Sequence, residues 1–425
     1  MTTPVRASVV VVSHQRPALL SRCLLSLSQL DHPDFEIVVV ADATGQDAVA
    51  RLAFAERLKT VRVDAPGIAA ARNAGLARAA GEVVAFIDDD AVAEPSWLCH
   101  LSAVFTDARV DAAGGYVLGR NGISFQWTGR NVDATARHAP LPLTGTDPVV
   151  LAGRPDRAIK TEGTNMAFRR ATLAALGGFD PAYRFFLDET DLNMRLARAG
   201  ASTAIVPLAR VHHGFAASPR RSTNRAPRDL SDIGASTAVF LRKFAPSGES
   251  PAVLDALRRA QRARALRHMV AGRLEPRDIA RLMSTLEAGI AEGIARDPSD
   301  PAPLAPAAAS FLRFRAGAGA AHALLAGRPW QARDLRERAA RMVREGQPVT
   351  LFVFSPTGLY HRMSFTDAGY WIQTGGIFGR SERGAPLWQW CGFSSRCRRE
   401  LARLAPVRRF RPETFDVLRA PGRPG

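Results

Sequence analysis

Short apolar runs alternate with helical patterns over the first part of the chain. A run rich in β-branched residues indicates a strand at 8–12. Pro17, which suits the first turn of a helix, is followed by Leu20, Cys23, Leu24 and Leu27 at helical spacing. The pattern then predicts strands at 35–40 and 83–87 and a helix at 68–80. Strands that alternate with helices in this way are typical of a doubly wound α/β sheet.

The same alternation continues to about residue 215. The sequence predicts a strand at 110–117, a loop-rich stretch over 119–160, a strand passing into a helix at 163–173, a helix at 188–199 and a short strand at 204–206. Acidic residues in the first turn and Gly200 at the end support the helix that begins at Asp188.

The composition changes after this point. Residues 251–295 look helical and rich in arginine, and Pro301, Pro303 and Pro306 indicate a linker. An apolar strand at 349–354 starts a small β-rich module, whose Trp371, Trp388 and Trp390 we interpret as core residues rather than a platform for sugars. We therefore expect a catalytic domain at 1–240, a helical segment at 241–300, a linker and helix at 301–344 and the module at 345–425.

The charge of the chain points to anionic partners. The net charge is +17, which suits nucleotide phosphates, lipid headgroups or nucleic acid. Only three residues are lysine, so a bias toward arginine accounts for part of this charge. The four cysteines are widely spaced and suggest no disulfide framework. With no apolar run of transmembrane length and no signal-peptide pattern, we expect a cytoplasmic protein.

The most informative segment is the third strand and the residues after it. Five apolar residues, Val83–Ile87, end in Asp88, Asp89 and Asp90. Open α/β sheets bind ligands beyond the carboxyl ends of their strands. Side chains two residues apart in an extended chain point the same way, so Asp88 and Asp90 can face one ligand. Converging carboxylates need a cationic partner, and a divalent Mg or Mn ion carried with phosphate oxygens is the usual one.

A series of segments in this order resembles the inverting family 2 glycosyltransferases of the GT-A fold. The segments are the opening strand and helix at 9–20, Phe35–Asp42, Gly67–Gly75, Phe86–Asp90, Gly163–Arg170 with Gly177–Asp180, Asp188–Leu192 and Val211–His213. The resemblance covers roughly residues 6–215. It implies a GT-A doubly wound mixed sheet flanked by helices, to which this chain adds a helical segment and a small β-rich C-terminal module.

The resemblance also implies roles for individual side chains. On the donor side it implies that Asp42 binds the base or ribose, that Arg72 lies near the diphosphate, and that Asp88 and Asp89 help to hold the nucleotide sugar. Asp90 is the first choice of metal ligand, with Asp88 and either His212 or His213 beside it, and we favour His213. The catalytic base is Glu189 or Asp188, because the family's Glu-Asp order is inverted here. Asn165 and Asp191 belong to the acceptor side.

These residues together predict a metal-dependent, inverting glycosyltransferase. The expected partners are a nucleotide-sugar donor and a glycan or lipid-linked acceptor, in a bacterial surface polysaccharide or glycolipid pathway. The basic loop at 220–228 suits a lipid-linked acceptor or an anionic membrane. The alternative is a nucleotide-sugar-binding or nucleotidyltransferase-like protein without transfer activity. Residues 13–17 lack the glycine-rich loop of a nucleotidyltransferase, and no motif for nucleic-acid binding is found.

Overall fold

The structure is a computed structural model that describes residues 5–214, 218, 220–297, 301–307, 309–315 and 320–410. In chain order the strands up to residue 213 are β1 (Ala7–Ser13), β2 (Phe35–Ala41), β3 (Lys59–Arg62), β4 (Val83–Asp88), β5 (Ala91–Ala93), β6 (Val110–Leu118), β7 (Phe125–Trp127), β8 (Arg130–Asp133), β9 (His138–Pro140), β10 (Val149–Ala152), β11 (Arg157–Lys160), β12 (Met166–Arg169) and β13 (Ser202–His213).

Ten of these described strands form one mixed sheet. Their order is β10-β13-β6-β12-β4-β1-β2-β3, with β5 paired to β13 and β7 paired to β6. β3, β2, β1 and β4 are parallel neighbours, whereas β12 runs antiparallel between β4 and β6. The remaining three strands make a small antiparallel sheet in the order β11-β8-β9.

Helices cover both faces of the large sheet. Successive side chains of a strand point to opposite faces, so Val9 and Val11 of β1 pack in one core with Leu20 of α1, whereas Val10 packs in the other core with Leu76 of α3. The predicted doubly wound mixed sheet flanked by helices is therefore confirmed. In chain order the helices up to residue 295 are α1 (Pro17–Leu27), α2 (Ala43–Ala50), α3 (Ile68–Arg78), α4 (Trp97–Ala103), α5 (Arg170–Ala175), α6 (Asp188–Arg198), α7 (Ser231–Phe244), α8 (Ser250–Val270) and α9 (Pro276–Ala295).

Most predicted elements of this region are confirmed to within two residues, but one prediction fails. The strand expected at 204–206 is in fact the twelve-residue β13, which runs on to His213. Its pairing with β6 shifts register between Val206 and Arg210, so the apolar pattern breaks while the strand continues. The region expected to be loop-rich, 119–160, has loops between the short strands β7 to β11.

The helical segment packs against the sheet domain through α7. Helix α9 approaches α7 so closely that a Cβ added at Gly289 would lie 2.0 Å from the backbone oxygen of Ser231. Glycine is required at that contact because any side chain would push the two helices apart. The long helices α8 and α9 lie within the predicted segment 241–300, whereas α7 crosses its predicted start.

The C-terminal module has a four-stranded sheet in the order β14-β15-β17-β16. β14, β15 and β17 are parallel, and β16 is antiparallel to β17. Since β14 pairs with β15, this sheet begins upstream of the boundary predicted at residue 345. The elements are β14 (Ala323–Gly327), α10 (Ala332–Arg344), β15 (Val349–Ser355), β16 (Arg362–Phe365), β17 (Trp371–Gly376) and α11 (Phe393–Leu404).

The module is joined to the sheet domain by a mixed apolar and ionic contact. Phe352 and Trp371 of the module share one core with Val92 of β5. Beside this core the buried Arg408 donates hydrogen bonds to both carboxylate oxygens of the buried Glu94, at 2.6 and 2.8 Å. A buried ion pair that crosses two units fixes their relative position, because separating them would leave a charge without its partner.

Three expectations can be compared with the described residues. All four cysteines lie among them and are free thiols. Within the same residues, no helix has both the length and the apolar character needed to cross a membrane. Of the three C-terminal tryptophans expected in the core, Trp371 is buried, but Trp388 and Trp390 are exposed.

Candidate active site

The carboxyl ends of β1 and β4 open onto a cavity of about 530 Å³. Strand register sets Val12 beside Asp88, so the polar residues that follow both strands gather at the same edge of the sheet. The first turn of α6 lines the cavity, and the helical segment contributes Ile233 and Arg264. This is the edge at which open α/β sheets bind their ligands.

Asp88, Asp90 and His213 converge at one side of this cavity. One ligand atom from each of the three lies within 4.8 Å of the other two. His213 is brought there by strand pairing, because β13 runs antiparallel to β5 and pairs His213 with Ala91, the residue after Asp90. Two carboxylates and one imidazole are a donor set that suits a divalent cation. The residues present therefore fit the Mg or Mn ion expected from the sequence.

The adjacent His212 has a different environment from His213. Its Nε2 lies 2.7 Å from Oε1 of Glu94, the same carboxylate that binds Arg408. Burial lowers the pKa of His212, with Glu94 opposing that effect. Nε2 of His213, in contrast, lies 3.2 Å from Oδ1 of Asp90. The geometry thus supports the preference for His213 over His212.

Asp89, the middle aspartate, turns away from this cluster. One of its oxygens accepts a hydrogen bond from the Ser13 hydroxyl at 2.7 Å, and the other accepts one from Arg16 at 2.9 Å. Burial raises the pKa of Asp89 to about 7, although the Arg16 guanidinium opposes the rise. We therefore regard Asp89 as a residue that holds Arg16 beside Asp90. It also lines the cavity, and its role in binding the nucleotide sugar stays a prediction.

Arg72 connects the two acidic groups of the site. Its buried guanidinium donates to Asp88 at 3.2 Å, to the carbonyl of Gly163 at 3.0 Å and to the side chain of Asp188. A Cβ at residue 163 would lie 2.8 Å from this guanidinium, so glycine makes room for the contact. Burial raises the pKa of Asp188, as does the neighbouring Glu189, while Arg72 opposes the rise.

Glu189 is held by a lysine of the small sheet. The Lys160 ammonium donates a hydrogen bond to Oε1 of Glu189, and both residues line the cavity. Burial would raise the pKa of Glu189. The charge and hydrogen bond of Lys160, together with Arg72 and Asp188, outweigh this effect and lower the pKa. The Glu189 side chain is 18% exposed and that of Asp188 only 3%. Of the two, Glu189 is therefore the carboxylate that a second substrate can reach.

The backbone before these two acids is unusual. Phe186 and Leu187 have φ angles of 71° and 65°, in the left-handed region that bulky side chains rarely adopt. Such conformations cost about 1–3 kcal/mol each and concentrate at functional sites. Here they redirect the chain so that α6 begins with Asp188 and Glu189 at the cavity.

Residues 4–230, slightly more than half of the chain, match the family described as Glycosyltransferase like family 2. The match includes the cavity carboxylates described above, which are Asp88, Asp89, Asp90, Asp188 and Glu189. The chain belongs to the family 2 glycosyltransferases. Its helical segment and C-terminal module lie beyond the matched residues.

Several known proteins resemble this family 2 glycosyltransferase over part of its length. An uncharacterized glycosyltransferase of Nostoc, alr2836, is 34% identical over 110 residues, or 25% of this chain and 34% of the relative. An N-acetylglucosaminyl-diphospho-decaprenol L-rhamnosyltransferase of Mycobacterium tuberculosis is 34% identical over 113 residues, or 24% of this chain and 36% of the relative. The matches thus span about a third of these curated relatives.

One solved structure covers more of the chain. The mannosyltransferase PcManGT from Pyrobaculum calidifontis, in complex with GDP-Man and Mn²⁺, aligns over 69% of this chain and 88% of its own, with 20% identity and a TM-score of 0.41.

In this glycosyltransferase, Asp42 has a local structural role. It is the N-cap of α2, and its two oxygens accept hydrogen bonds from the backbone of Gly45 and Gln15 and from the hydroxyl of Thr44. Burial opposes ionisation, yet these hydrogen bonds lower the pKa of Asp42. Asp42 is absent from the described residues that line the cavity. Its predicted contact with the base or ribose therefore has no support from the cavity geometry.

The two residues predicted on the acceptor side lie in the core instead. The amide of Asn165 donates to the carbonyls of Tyr116 and Ala209 and accepts from the indole of Trp97, and the side chain is fully buried. It connects β6, β13 and α4. Asp191 is also buried, and its carboxylate pairs with Arg195 and Lys243. Neither side chain is available to an acceptor.

Sequence reasoning missed five cationic residues that line the cavity: Arg16, Arg130, Lys160, Arg184 and Arg264. One signal for Lys160 was present, since the chain has only three lysines among 57 basic residues. All three lysines prove to be buried in ion pairs: Lys59 with Glu36, Lys160 with Glu189, and Lys243 with Asp180 and Asp191. No comparable signal marked the four arginines, because arginine is common throughout the chain.

Proposed function

We propose that this protein is a metal-dependent, inverting glycosyltransferase that moves a sugar from a nucleotide-sugar donor to a hydroxyl acceptor. The observation that carries the proposal is the position of Arg72, which bonds Asp88 of one acidic group and Asp188 of the other within a single cavity. The proposed cation-binding group and the proposed base therefore lie on either side of one guanidinium.

On the donor side, Asp88, Asp90 and His213 would hold a divalent Mg or Mn ion. When bound, the ion supplies positive charge to the diphosphate that leaves the sugar. Arg16 lies 3.8 Å from Asp90, at the same side of the cavity, and adds a second fixed positive charge. Charges that are already in place where negative charge develops stabilise a transition state without reorganisation.

On the acceptor side, Glu189 would act as the general base. As the acceptor oxygen attacks the anomeric carbon, its proton passes to the Glu189 carboxylate, and the bond from that carbon to the diphosphate breaks with its electron pair. One base and no covalent nucleophile give inversion at the anomeric carbon. Asp188, buried against Arg72, would hold that guanidinium between the two substrates rather than exchange protons.

The mouth of the cavity suggests the class of acceptor. Phe185 and Phe186 line it and are more than a third exposed, and Arg220 lies over the Phe185 ring at 4.3 Å. An apolar rim with basic residues suits a lipid-linked acceptor, although a glycan can also use aromatic rings.

A relative named as acting on a diphospho-decaprenol substrate supports a surface polysaccharide or glycolipid pathway in bacteria. The free cysteines support a reducing, cytoplasmic location.

A thermal-shift screen tests the donor site. Sugars activated with UDP, GDP, dTDP or CMP are added with and without Mn²⁺ to the wild type, to Asp90→Ala and to Asp47→Ala, which removes an exposed carboxylate of α2 as a control. We expect one nucleotide class to raise the Tm by about 5 °C in a Mn²⁺-dependent way. The shift should survive in Asp47→Ala and disappear in Asp90→Ala. Equal shifts in all three proteins, or no shift with any donor, would contradict the proposed donor site.

A further inference from the structure

The C-terminal module concentrates its exposed apolar side chains at one edge of its sheet. Because β14, β15 and β17 are parallel, the segments that follow them emerge at the same edge. These segments contain all the large hydrophobic residues that are exposed in the described part of the module. We call this set the aromatic edge: Trp330 after β14, Leu359 and Tyr360 after β15, and Leu387, Trp388 and Trp390 after β17.

The rings of the aromatic edge are supported from beneath. Trp388 stacks on Phe378 with ring centroids 4.9 Å apart, and Trp390 lies 5.3 Å from the same ring. The backbone N–H of Gln389 donates to the carbonyl of Phe378 at 2.9 Å. A Cβ at Gly358 would lie 2.6 Å from the Trp388 ring, so glycine allows the contact. The packing thus presents Trp390 to solvent at 81% exposure instead of covering it.

Arginine surrounds this edge and acidic residues are scarce. Residues 377–399 contain five arginines and one carboxylate, Glu382. The Arg380 guanidinium lies 4.7 Å over the Tyr360 ring, and Arg399 bonds the side-chain oxygen of Gln389 between the two tryptophans. The aromatic edge is therefore an apolar surface with a positively charged rim.

The chemistry of the edge favours a bilayer over a glycan. Trp388 and Trp390 meet at an interplanar angle of 70°, so they offer no flat shelf for a sugar ring. Leu359 and Leu387 add aliphatic surface that sugars do not require. Tryptophan and tyrosine are enriched where proteins meet the headgroup region of a membrane, and arginine is attracted to anionic headgroups.

We propose that the aromatic edge docks this protein on the surface of an anionic lipid bilayer. Trp388, Trp390 and the two leucines enter the interfacial layer, and the exposed Arg398 and Arg399 of α11 face the headgroup phosphates. The proposal is independent of the donor site, because it rests on residues outside the glycosyltransferase family match.

Vesicle co-sedimentation of the full chain provides the test. The probes are vesicles of phosphatidylcholine alone and of phosphatidylcholine with phosphatidylglycerol. We expect binding to the anionic vesicles, and a reduction of about tenfold or more in Trp388→Ala/Trp390→Ala, given the apolar area removed. The charge variant Arg398→Gln/Arg399→Gln should bind more weakly by about fivefold for each arginine that faces the lipid.

Matched controls distinguish vesicle binding through the aromatic edge from nonspecific apolar or electrostatic binding. Val270→Ser removes an exposed apolar residue of α8, and Arg333→Gln removes an exposed charge of α10, and neither should change binding. Circular dichroism and the Tm verify that every variant is folded. Three results would overturn the proposal: vesicle binding that survives the double tryptophan variant, tryptophan quenching by soluble glycans without vesicle binding, or a concentration-dependent dimer that the same variant abolishes.

Discussion

The two acidic pairs that face the cavity differ in what neutralises them. Glu189 has a buried cation of its own, Lys160, whereas Asp188 shares the buried Arg72 with Asp88. An arginine nitrogen lies 3.8 Å from Asp90, and a histidine nitrogen, which is charged only when protonated, lies 3.2 Å from it. Burial raises the pKa of Asp88 although Arg72 opposes the rise, whereas the pKa of Glu189 is lowered. In our proposal Glu189 is therefore ionised beside its lysine, whereas Asp88, Asp90 and His213 form the group that would take up a divalent cation.

The first prediction removes a carboxylate charge from the proposed cation-binding group of Asp88, Asp90 and His213. We expect Asp90→Asn to lower kcat/KM by about a thousandfold, because the ion that stabilises the leaving diphosphate would be lost. Mn²⁺ affinity, measured by titration calorimetry, should fall in parallel. The control is Asp89→Asn, which should keep its Mn²⁺ affinity within a few-fold because that side chain faces Ser13 and Arg16. Equal losses in both variants would contradict the division between the two aspartates.

The second prediction removes the base and leaves the donor side unchanged. Glu189→Gln should lower kcat by about a hundredfold or more, the contribution expected of a general base. Binding of Mn²⁺ and nucleotide should stay as in the wild type, since Glu189 belongs to the other acidic pair. Single-turnover kinetics with donor prebound measure the step. Retention of the wild-type rate in Glu189→Gln, with loss of the rate in Asp188→Asn, would transfer the base role to Asp188.

The third prediction concerns the effect of Lys160 on the pH dependence of activity. Lys160 lowers the pKa of Glu189, so the wild-type base stays ionised well into the acid range. In Lys160→Met the largest effect that opposes burial is lost and Arg72 is the neighbouring cation that remains, so the pKa of Glu189 should rise. The acid limb of kcat/KM should then move up by about one pH unit or more, with activity falling as pH is lowered. Lys160→Arg, which keeps the charge, is the control and should resemble the wild type. An unchanged profile in Lys160→Met would exclude Glu189 as the titrating base.

The fourth and smallest effect is expected at Asp42. Asparagine caps a helix about as well as aspartate, so Asp42→Asn should lower stability by less than about 1 kcal/mol. Donor KM should change by no more than about threefold, because the Asp42 carboxylate already accepts hydrogen bonds from Thr44 and Gly45 at the start of α2. Chemical denaturation and donor titration measure the two quantities. A tenfold rise in donor KM would show that Asp42 turns toward the nucleotide and would restore its predicted role.

Much of the fold could be predicted because it depends on local patterns. The apolar runs that become β1, β2 and β4 are continuous, and their endpoints are marked by polar residues such as Asp88. The order of strands and helices then restricts the topology to few alternatives. The convergence of Asp88 and Asp90 followed from the two-residue period of a strand. In contrast, the length of β13 was underestimated because a register shift interrupts its pattern of apolar residues between Val206 and Arg210.

The details of the site depended on partners that are distant in sequence. Lys160 and Glu189 are 29 residues apart, and Arg72 and Asp188 are 116 apart. Local pattern cannot distinguish an acid that faces a substrate from one that pairs inside the core. For this reason Asp191 was grouped with its neighbours on α6, although it pairs with Lys243 from α7. The amide of Asn165 likewise bonds carbonyls from two other strands, which no spacing rule reveals.

The buried lysines have a consequence for the surface. Their side chains are only 7, 2 and 5% exposed, so the positive charge that faces solvent is arginine. A guanidinium stays protonated at any physiological pH, and lysine acetylation cannot remove its charge. The electrostatic attraction of this protein for anionic surfaces is therefore permanent, and amine-selective dyes or cross-linkers would find no exposed lysine with which to react.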